Sequence, residues 1–187
     1  VQDLVRMSES IGCGEFFGLV PLQALGKSLK QSGRTLHLVG LLGPGGVHAI
    51  DEHLLACIEL GVQLDVPRIA IHGFLDGRDT LPTIADSVVR KLQADIERIA
   101  PGRAVIATLT GRYFAMDRDQ RWERTKIAYD AMVHGVGLPA TDPVEAIRGA
   151  YERGQTDEFI KPIILQRHGA PVALRRDRDG VPCVHYP

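Results

Sequence analysis

Residues Thr35–Leu42 read TLHLVGLL and run without a break into 43–48, GPGGVH; this junction decides the fold. The first stretch is almost continuously apolar, as in a strand covered on both faces, and the glycine-rich cluster behind it reads as a turn into a helix. Over 48–64 the apolar residues Ile50, Leu54, Cys57, Ile58 and Val62 keep the spacing of a helix packed on a sheet. The unit then returns. Residues 68–75 (RIAIHGFL) lead into 76–80 (DGRDT) and a stripe at Ile84, Val88, Leu92, Ile96 and Ile99, and 103–110 (RAVIATLT) lead into 111–119 (GRYFAMDRD). Strand, loop and helix in repetition predict an α/β fold, a three-layer α/β/α domain with a mainly parallel sheet.

Outward from this centre, 21–31 reads as a short amphipathic helix and 120–134 as another. Asp142-Pro143-Val144-Glu145 supplies an N-cap, a proline at the first helical position and a glutamate at the third, so a helix is expected to about Arg153. From Lys161 onward, short apolar runs are broken by His168-Gly169, Asp179-Gly180 and three prolines, which predicts a peripheral C-terminal hairpin. No repeat, low-complexity tract or linker interrupts the chain, and 1–187 reads as one domain.

In an open α/β sheet, the loops beyond the carboxyl ends of parallel strands build the ligand crevice. Three such loops rich in Arg, Asp, His and Gly describe one polar site suited to a small anion. The formal net charge of −1 argues against a general nucleic-acid or membrane-surface protein, which would carry a basic excess. Cys13, Cys57 and Cys183 are odd in number and far apart, without a CxxC, so the pattern suggests neither a disulfide framework nor zinc and fits a reducing cytoplasm. There is no apolar run of transmembrane length. The chain opens on Val1 rather than Met, as a piece of something longer would.

The first cluster lacks the Lys-Ser/Thr of a Walker A loop and carries His48 where a dinucleotide fingerprint needs its third glycine. Two readings stay open: backbone N–H groups offered to an anion at a helix N-terminus with His48 in the first turn, or a tight turn with an exposed histidine. In the second cluster, Arg78 between Asp76 and Asp79 reads as a self-satisfied turn when taken alone. In context, Arg matches carboxylate or phosphate geometry while a flanking Asp manages a hydroxyl proton. The third cluster interleaves Arg112, Arg118, Arg121 and Arg124 with Tyr113, Phe114 and Trp122. Single-stranded nucleic-acid binding would use such a mixture, but Asp117, Asp119 and Glu123 interrupt the basic face that a backbone-tracking groove needs. Arg121 and Arg124 are expected on a solvated helix face, and Tyr113, Phe114 and Trp122 in the core. His72 falls mid-strand, and His37, His53, His134, His168 and His185 form no ligand spacing.

The stretches LHLVGLLGPGGVHAIDEHL, HGFLDGRDT, TGRYFAMDRDQRWERTKIAYDAMVHG and TDEFIKP resemble the cofactor-independent (2,3-bisphosphoglycerate-independent) phosphoglycerate mutases. The likeness runs from about Asp3 to at least Pro162 and covers only the substrate-binding, or phosphotransferase, domain of a two-domain enzyme. Its metal-binding, phosphatase-like partner domain, with two Mn²⁺ and a transiently phosphorylated serine, has no counterpart here. The resemblance implies that His48, Arg78, Asp79, Arg112 and Arg118 hold 2- or 3-phosphoglycerate. Within that set it implies that the arginines clamp carboxylate and phosphate, and that Asp79 and His48 are catalytic, handling hydroxyls and protons. No metal or other cofactor is expected in this chain, and its partners are phosphoglycerate and the missing domain rather than nucleic acid or membrane.

The family continues beyond the hairpin into a strand and an R-x-D-R motif with two more substrate arginines, so the domain is expected to be truncated at its C-terminal end. Arg175-Arg176-Asp177-Arg178 has that spacing but comes too soon after Lys161-Pro162, and reads as a charged hairpin. The expectation is part of a glycolytic isomerase, inactive on its own; the alternative is a stand-alone, non-catalytic module that binds a small phosphorylated acid or a protein.

Overall fold

The computed structural model of the chain describes residues 3–184 and Tyr186, so His185 lies outside the described residues. Helix α1 (Asp3–Gly12), a 3₁₀ turn at Glu15–Gly18 and α2 (Val20–Ser32) come first. Strand β1 (Thr35–Leu42), α3 (Asp51–Gln63), β2 (Arg68–Leu75), α4 (Ala85–Ile99) and β3 (Ala104–Gly111) follow as two successive parallel crossovers. Thr35 pairs with Arg68 and Leu42 with Leu75, and β2 pairs with β3 from Ile69–Ala104 to Leu75–Gly111. All three strands end on one side, which lays the polar loops side by side.

Beyond β3 come α5 (Arg112–Ala115), α6 (Trp122–His134), β4 (Leu138–Ala140), α7 (Pro143–Glu152), a 3₁₀ turn at Asp157–Phe159, β5 (Ile163–Arg167) and β6 (Ala170–Pro171). Asp142 caps α7 as expected, its Oδ1 accepting the N–H groups of Val144 and Glu145 at 2.8 and 3.1 Å. Helices cover both faces of the mixed sheet. Leu38, Ile71 and Leu109 pack with Leu54, Ile58, Val89, Leu92 and Ile147 on one side, while Val39, Leu41 and Phe74 meet Ala115, Met116 and Met132 on the other. Among the described residues no helix is long and apolar enough to cross a membrane.

The predicted hairpin forms, since β6 pairs with β5, but its first arm is not peripheral. The strand order is β1-β2-β3-β5-β4, so β5 is inserted in the sheet, parallel to β4 and antiparallel to β3. Ile163, Ile164 and Leu165 are buried accordingly, and their apolar run lacks alternation because both faces are covered. The β3–β5 ladder is short, with only Leu109–Ile163 and Thr108–Ile164 in register. On the opposite edge, β1 is bridged in parallel by Gly180 and Cys183, so residues 179–184 lie along it as a strap.

Two histidines of separate strands meet inside the sheet layer. His37 Nδ1 lies 2.8 Å from His72 Nε2, and His72 Nδ1 lies 2.9 Å from Thr108 Oγ1. A register shift on β3 after the Ile71–Ile106 pair makes this possible, because it sets Thr108 directly opposite His72. Burial, together with the neighbouring His37, pushes His72 down to about 3, and burial also lowers His37 against the opposing pull of Asp179. Both rings are therefore neutral near neutral pH.

Candidate functional site

The second loop is built around Asp76, at the carboxyl end of β2. Its Oδ1 accepts the N–H groups of Arg78 and Asp79, both at 3.1 Å, and Gly77, at φ 68°, makes the sharp reversal this requires. Arg78 does not pair with either flanking aspartate. Its side chain stays 59% exposed and reaches Glu158 at 3.5 Å, so the self-satisfied turn expected for DGRD taken alone is not what forms.

Asp76 and Asp79 instead share Arg112, the first residue beyond β3. A single guanidinium nitrogen, Nη1, donates to Asp76 Oδ1 and Asp79 Oδ2, each at 2.6 Å. Arg112 is 6% exposed and Asp76 3%, so this charge-assisted cluster is a fixed part of the site floor. Burial opposes the guanidinium charge, but the two carboxylates outweigh it and hold the pKa above its usual value. Asp76 Oδ2 has no partner among the described residues, and a Cβ at Gly45 would stand 3.1 Å from it. Gly45 thus lets the first loop close over the cluster.

His48 reaches the cluster from that loop, its Nε2 4.0 Å from Asp79 Oδ2 and its Nδ1 3.0 Å from the Tyr186 carbonyl oxygen. It does not sit in the first turn of a helix, as the open reading had it. Helix α3 starts at Asp51, and Asp51 Oδ1 accepts the Gly43 N–H at 2.9 Å, so a carboxylate at the head of the helix takes one of the loop donors that the anion-binding reading would use.

In the third loop, Asp117 Oδ2 accepts the N–H groups of Asp119 and Arg121, shaping the entry to α6. Arg118 is exposed and, among the described residues, engages none of the other four predicted site residues. Two expectations fail here. Arg124 is not on a solvated face: it lies 4.0 Å from the centre of the Tyr113 ring and 3.3 Å from Asp117. Trp122 is not in the core but 71% exposed at the start of α6, whereas Tyr113 and Phe114 are half-buried.

The structure thus brings His48, Asp79 and Arg112 together and leaves Arg78 and Arg118 exposed, outside that cluster. Asp76, Glu158 and the Tyr186 carbonyl are site components that the predicted set omits. The segment around Glu158 is seated by Asp157, whose Oδ2 accepts the Ile84 and Ala85 N–H groups at the start of α4 and whose Oδ1 accepts the Tyr151 hydroxyl proton. Burial raises the Asp157 pKa against the effect of these donors. A Cβ on Gly111 would run into the Glu158 carbonyl oxygen, so Gly111→Ala is expected to cost about 1–3 kcal/mol through overpacking. A urea unfolding midpoint equal to wild type would contradict this. Among the described residues, no group of three or more His, Cys, Asp or Glu side chains is placed to hold a metal ion.

Residues 7–186 match the family model described as the BPG-independent PGAM N-terminus. The chain is 48% identical over 181 residues to the 2,3-bisphosphoglycerate-independent phosphoglycerate mutase of Thermomicrobium roseum, covering 96% of this chain and 34% of that protein. It is 49% identical over 182 residues to the same-named protein of Chloroflexus aggregans, covering 96% and 33%. A crystal structure of Leishmania mexicana phosphoglycerate mutase at low cobalt concentration superposes with a TM-score of 0.92 at 30% identity, over 98% of this chain and 35% of that one. The chain therefore spans about a third of the length of these relatives, and it belongs to the family of N-terminal domains of the 2,3-bisphosphoglycerate-independent phosphoglycerate mutases.

Proposed function

We propose that this domain binds and orients 2- and 3-phosphoglycerate for their interconversion in glycolysis, in the cytoplasm, as one part of a cofactor-independent phosphoglycerate mutase. The observation that supports it most is the His48–Asp79–Arg112 cluster at the carboxyl ends of three parallel strands, braced from below by Asp76. Arg112 supplies a fixed guanidinium. Arg78 and Arg118 supply exposed ones that can fold onto a ligand, Arg78 by exchanging Glu158 for a phosphate or carboxylate. Asp79 and His48 then take and return the proton of the hydroxyl that gains or loses the phosphoryl group. Phosphoryl transfer depends chiefly on positioning and charge stabilisation, which suits a site made mainly of arginines. The partner domain, with two Mn²⁺ and the serine that carries the phosphoryl group, supplies the transfer itself, and no residue of this chain is assigned to metal.

Two expected results test this reading. In NMR titrations, 3-phosphoglycerate should bind at about millimolar affinity, with shifts centred on His48, Arg78, Arg112 and Arg118. Arg118→Lys should weaken it by about three- to tenfold, because an ammonium keeps the charge but loses the planar two-point match. The control is Arg121→Lys, expected to be silent, because Arg124 packs on Tyr113 and Asp117 and a change there disturbs the loop. Shifts clustered elsewhere, or salt-sensitive oligonucleotide binding with both variants alike, would overturn the proposal. In a coupled assay the isolated chain with added Mn²⁺ should show no mutase turnover. Turnover that survives repurification and disappears in Arg118→Ala would refute the assignment of the chemistry to the partner domain.

A further inference from the structure

The strap along the edge of β1 links a buried anchor to the site. At its start, Asp179 Oδ1 accepts the Thr35 N–H at 3.1 Å and Oδ2 accepts the Arg176 N–H at 2.8 Å. Asp179 Oδ2 also lies 3.3 Å from His37 Nε2, an ion-pair distance without hydrogen-bond alignment. Burial works against the Asp179 charge, but the two N–H donors and His37 prevail and keep its pKa below the usual carboxylate range. Facing a carboxylate that only accepts, His37 holds its proton on Nε2. Its Nδ1 then accepts from His72 Nε2, and His72 Nδ1 accepts from the Thr108 hydroxyl, giving one directed line of hydrogen bonds from β3 to His37 on β1, whose Nε2 faces the carboxylate of the strap.

From that anchor the strap is zipped to β1. His37 N–H donates to Gly180 O at 2.7 Å, Val39 N–H to Pro182 O at 3.3 Å and Val184 N–H to Val39 O at 2.7 Å. Gly40 has no Cβ because the Val184 carbonyl occupies its place. At the far end Tyr186 N–H donates to the His48 carbonyl at 2.7 Å, and the Tyr186 carbonyl receives His48 Nδ1 at 3.0 Å. A carbonyl oxygen has no proton to give, so that contact requires the proton on Nδ1. In the neutral ring the lone pair is then on Nε2, the nitrogen nearer Asp79. Free histidine favours the opposite tautomer.

We propose that the strap is a positioning element of the site: anchored at Asp179 by the Thr108–His72–His37 line, it holds His48 in the Nδ1–H tautomer through the Tyr186 carbonyl and so presents Nε2 as the proton acceptor. Asp179 is then a positioning residue acting at a distance on His48, and its relevance to catalysis rests on the proton-handling role given to His48 above.

The test is long-range ¹H–¹⁵N NMR of the histidine rings in the ligand-free chain at pH 8. His48 is expected as Nδ1–H in the wild type. In Asp179→Ala it should pass to a mixture dominated by Nε2–H, with affinity for 3-phosphoglycerate falling by about three- to tenfold. Asp179→Asn, which keeps an oxygen for the Thr35 N–H, should restore most of the wild-type pattern. A wild-type His48 protonated on Nε2 overturns the proposal without recourse to any variant, and so does retention of the Nδ1–H form in folded Asp179→Ala. Because the tautomer is read without ligand, the two readings fail separately. A chain with Nδ1–H that ignores 3-phosphoglycerate refutes only the proposed function, and one that binds it with Nε2–H refutes only the strap.

Discussion

Arg112→Ala is expected to destabilise the domain by about 3–5 kcal/mol and to abolish phosphoglycerate binding, the largest effect anticipated for any single side chain here. The variant leaves two carboxylates without their shared cation. Asp76 is 3% exposed, and its Oδ2 already lacks a partner among the described residues. Asp79, 24% exposed, can recover some hydration, so the cost falls mainly on Asp76. Because one nitrogen bridges both carboxylates, Arg112→Lys should recover much of the stability yet little of the binding, since a ligand needs the remaining two nitrogens of the fork. Urea unfolding and 3-phosphoglycerate titration of both variants check this. A loss below about 1 kcal/mol in Arg112→Ala would show that the cluster is solvated rather than a buried brace.

Acid should unfold the domain earlier than its carboxylates alone would. The His72 pKa drops from 6.5 to about 3 on folding because burial and the adjacent His37 disfavour a charged ring. A depressed folded-state pKa means that the unfolded chain binds the proton first. The stability from the neutral ring is complete above pH 6.5 and is lost progressively as the pH falls toward 3. By pH 4 the loss from His72 is about 3 kcal/mol, at about 1.4 kcal/mol per pH unit. His37 adds to it in the same direction, and Asp157, whose pKa is raised, opposes it at lower pH. Unfolding midpoints between pH 7 and pH 4 should therefore decline steadily, and the decline should be shallower in His72→Gln. A flat profile over that interval would contradict the buried neutral pair.

Much of this was legible in the residues. Strands β1 and β2 fall on the apolar runs that announced them, and the three loops converge because parallel strands of similar length end together. Strand β4 left no signal: three residues, one of them proline, largely exposed at a sheet edge, carry neither alternation nor an apolar run. The insertion of β5 was hidden because a local pattern reports burial, not which strand becomes the neighbour. At the site, the arginine and aspartate types were readable, but their pairing was not, since Arg78 and Arg112 compete for the same carboxylates and only the fold decides between them. Trp122 shows the limit of composition: a large aromatic at a helix start reads as core unless the missing cover is seen. The Tyr186 contribution is a main-chain carbonyl, which no side-chain pattern announces.

The short ladder between β3 and β5 has a consequence for how the domain breathes. The β1–β2–β3 ladders are long and continuous, whereas β5 meets β3 through only two paired residues, so main-chain pairing is thinnest along that line even though the apolar residues of β5 and α7 share one core with β1–β3. The connection from α7 to β5 carries Asp157, which tethers the start of α4, and Glu158, which holds Arg78. An opening along that line would carry Glu158 away from Arg78 and release the start of α4 together. The charge Arg78 offers to an incoming anion would then follow a motion of the sheet rather than the rotamer of one side chain.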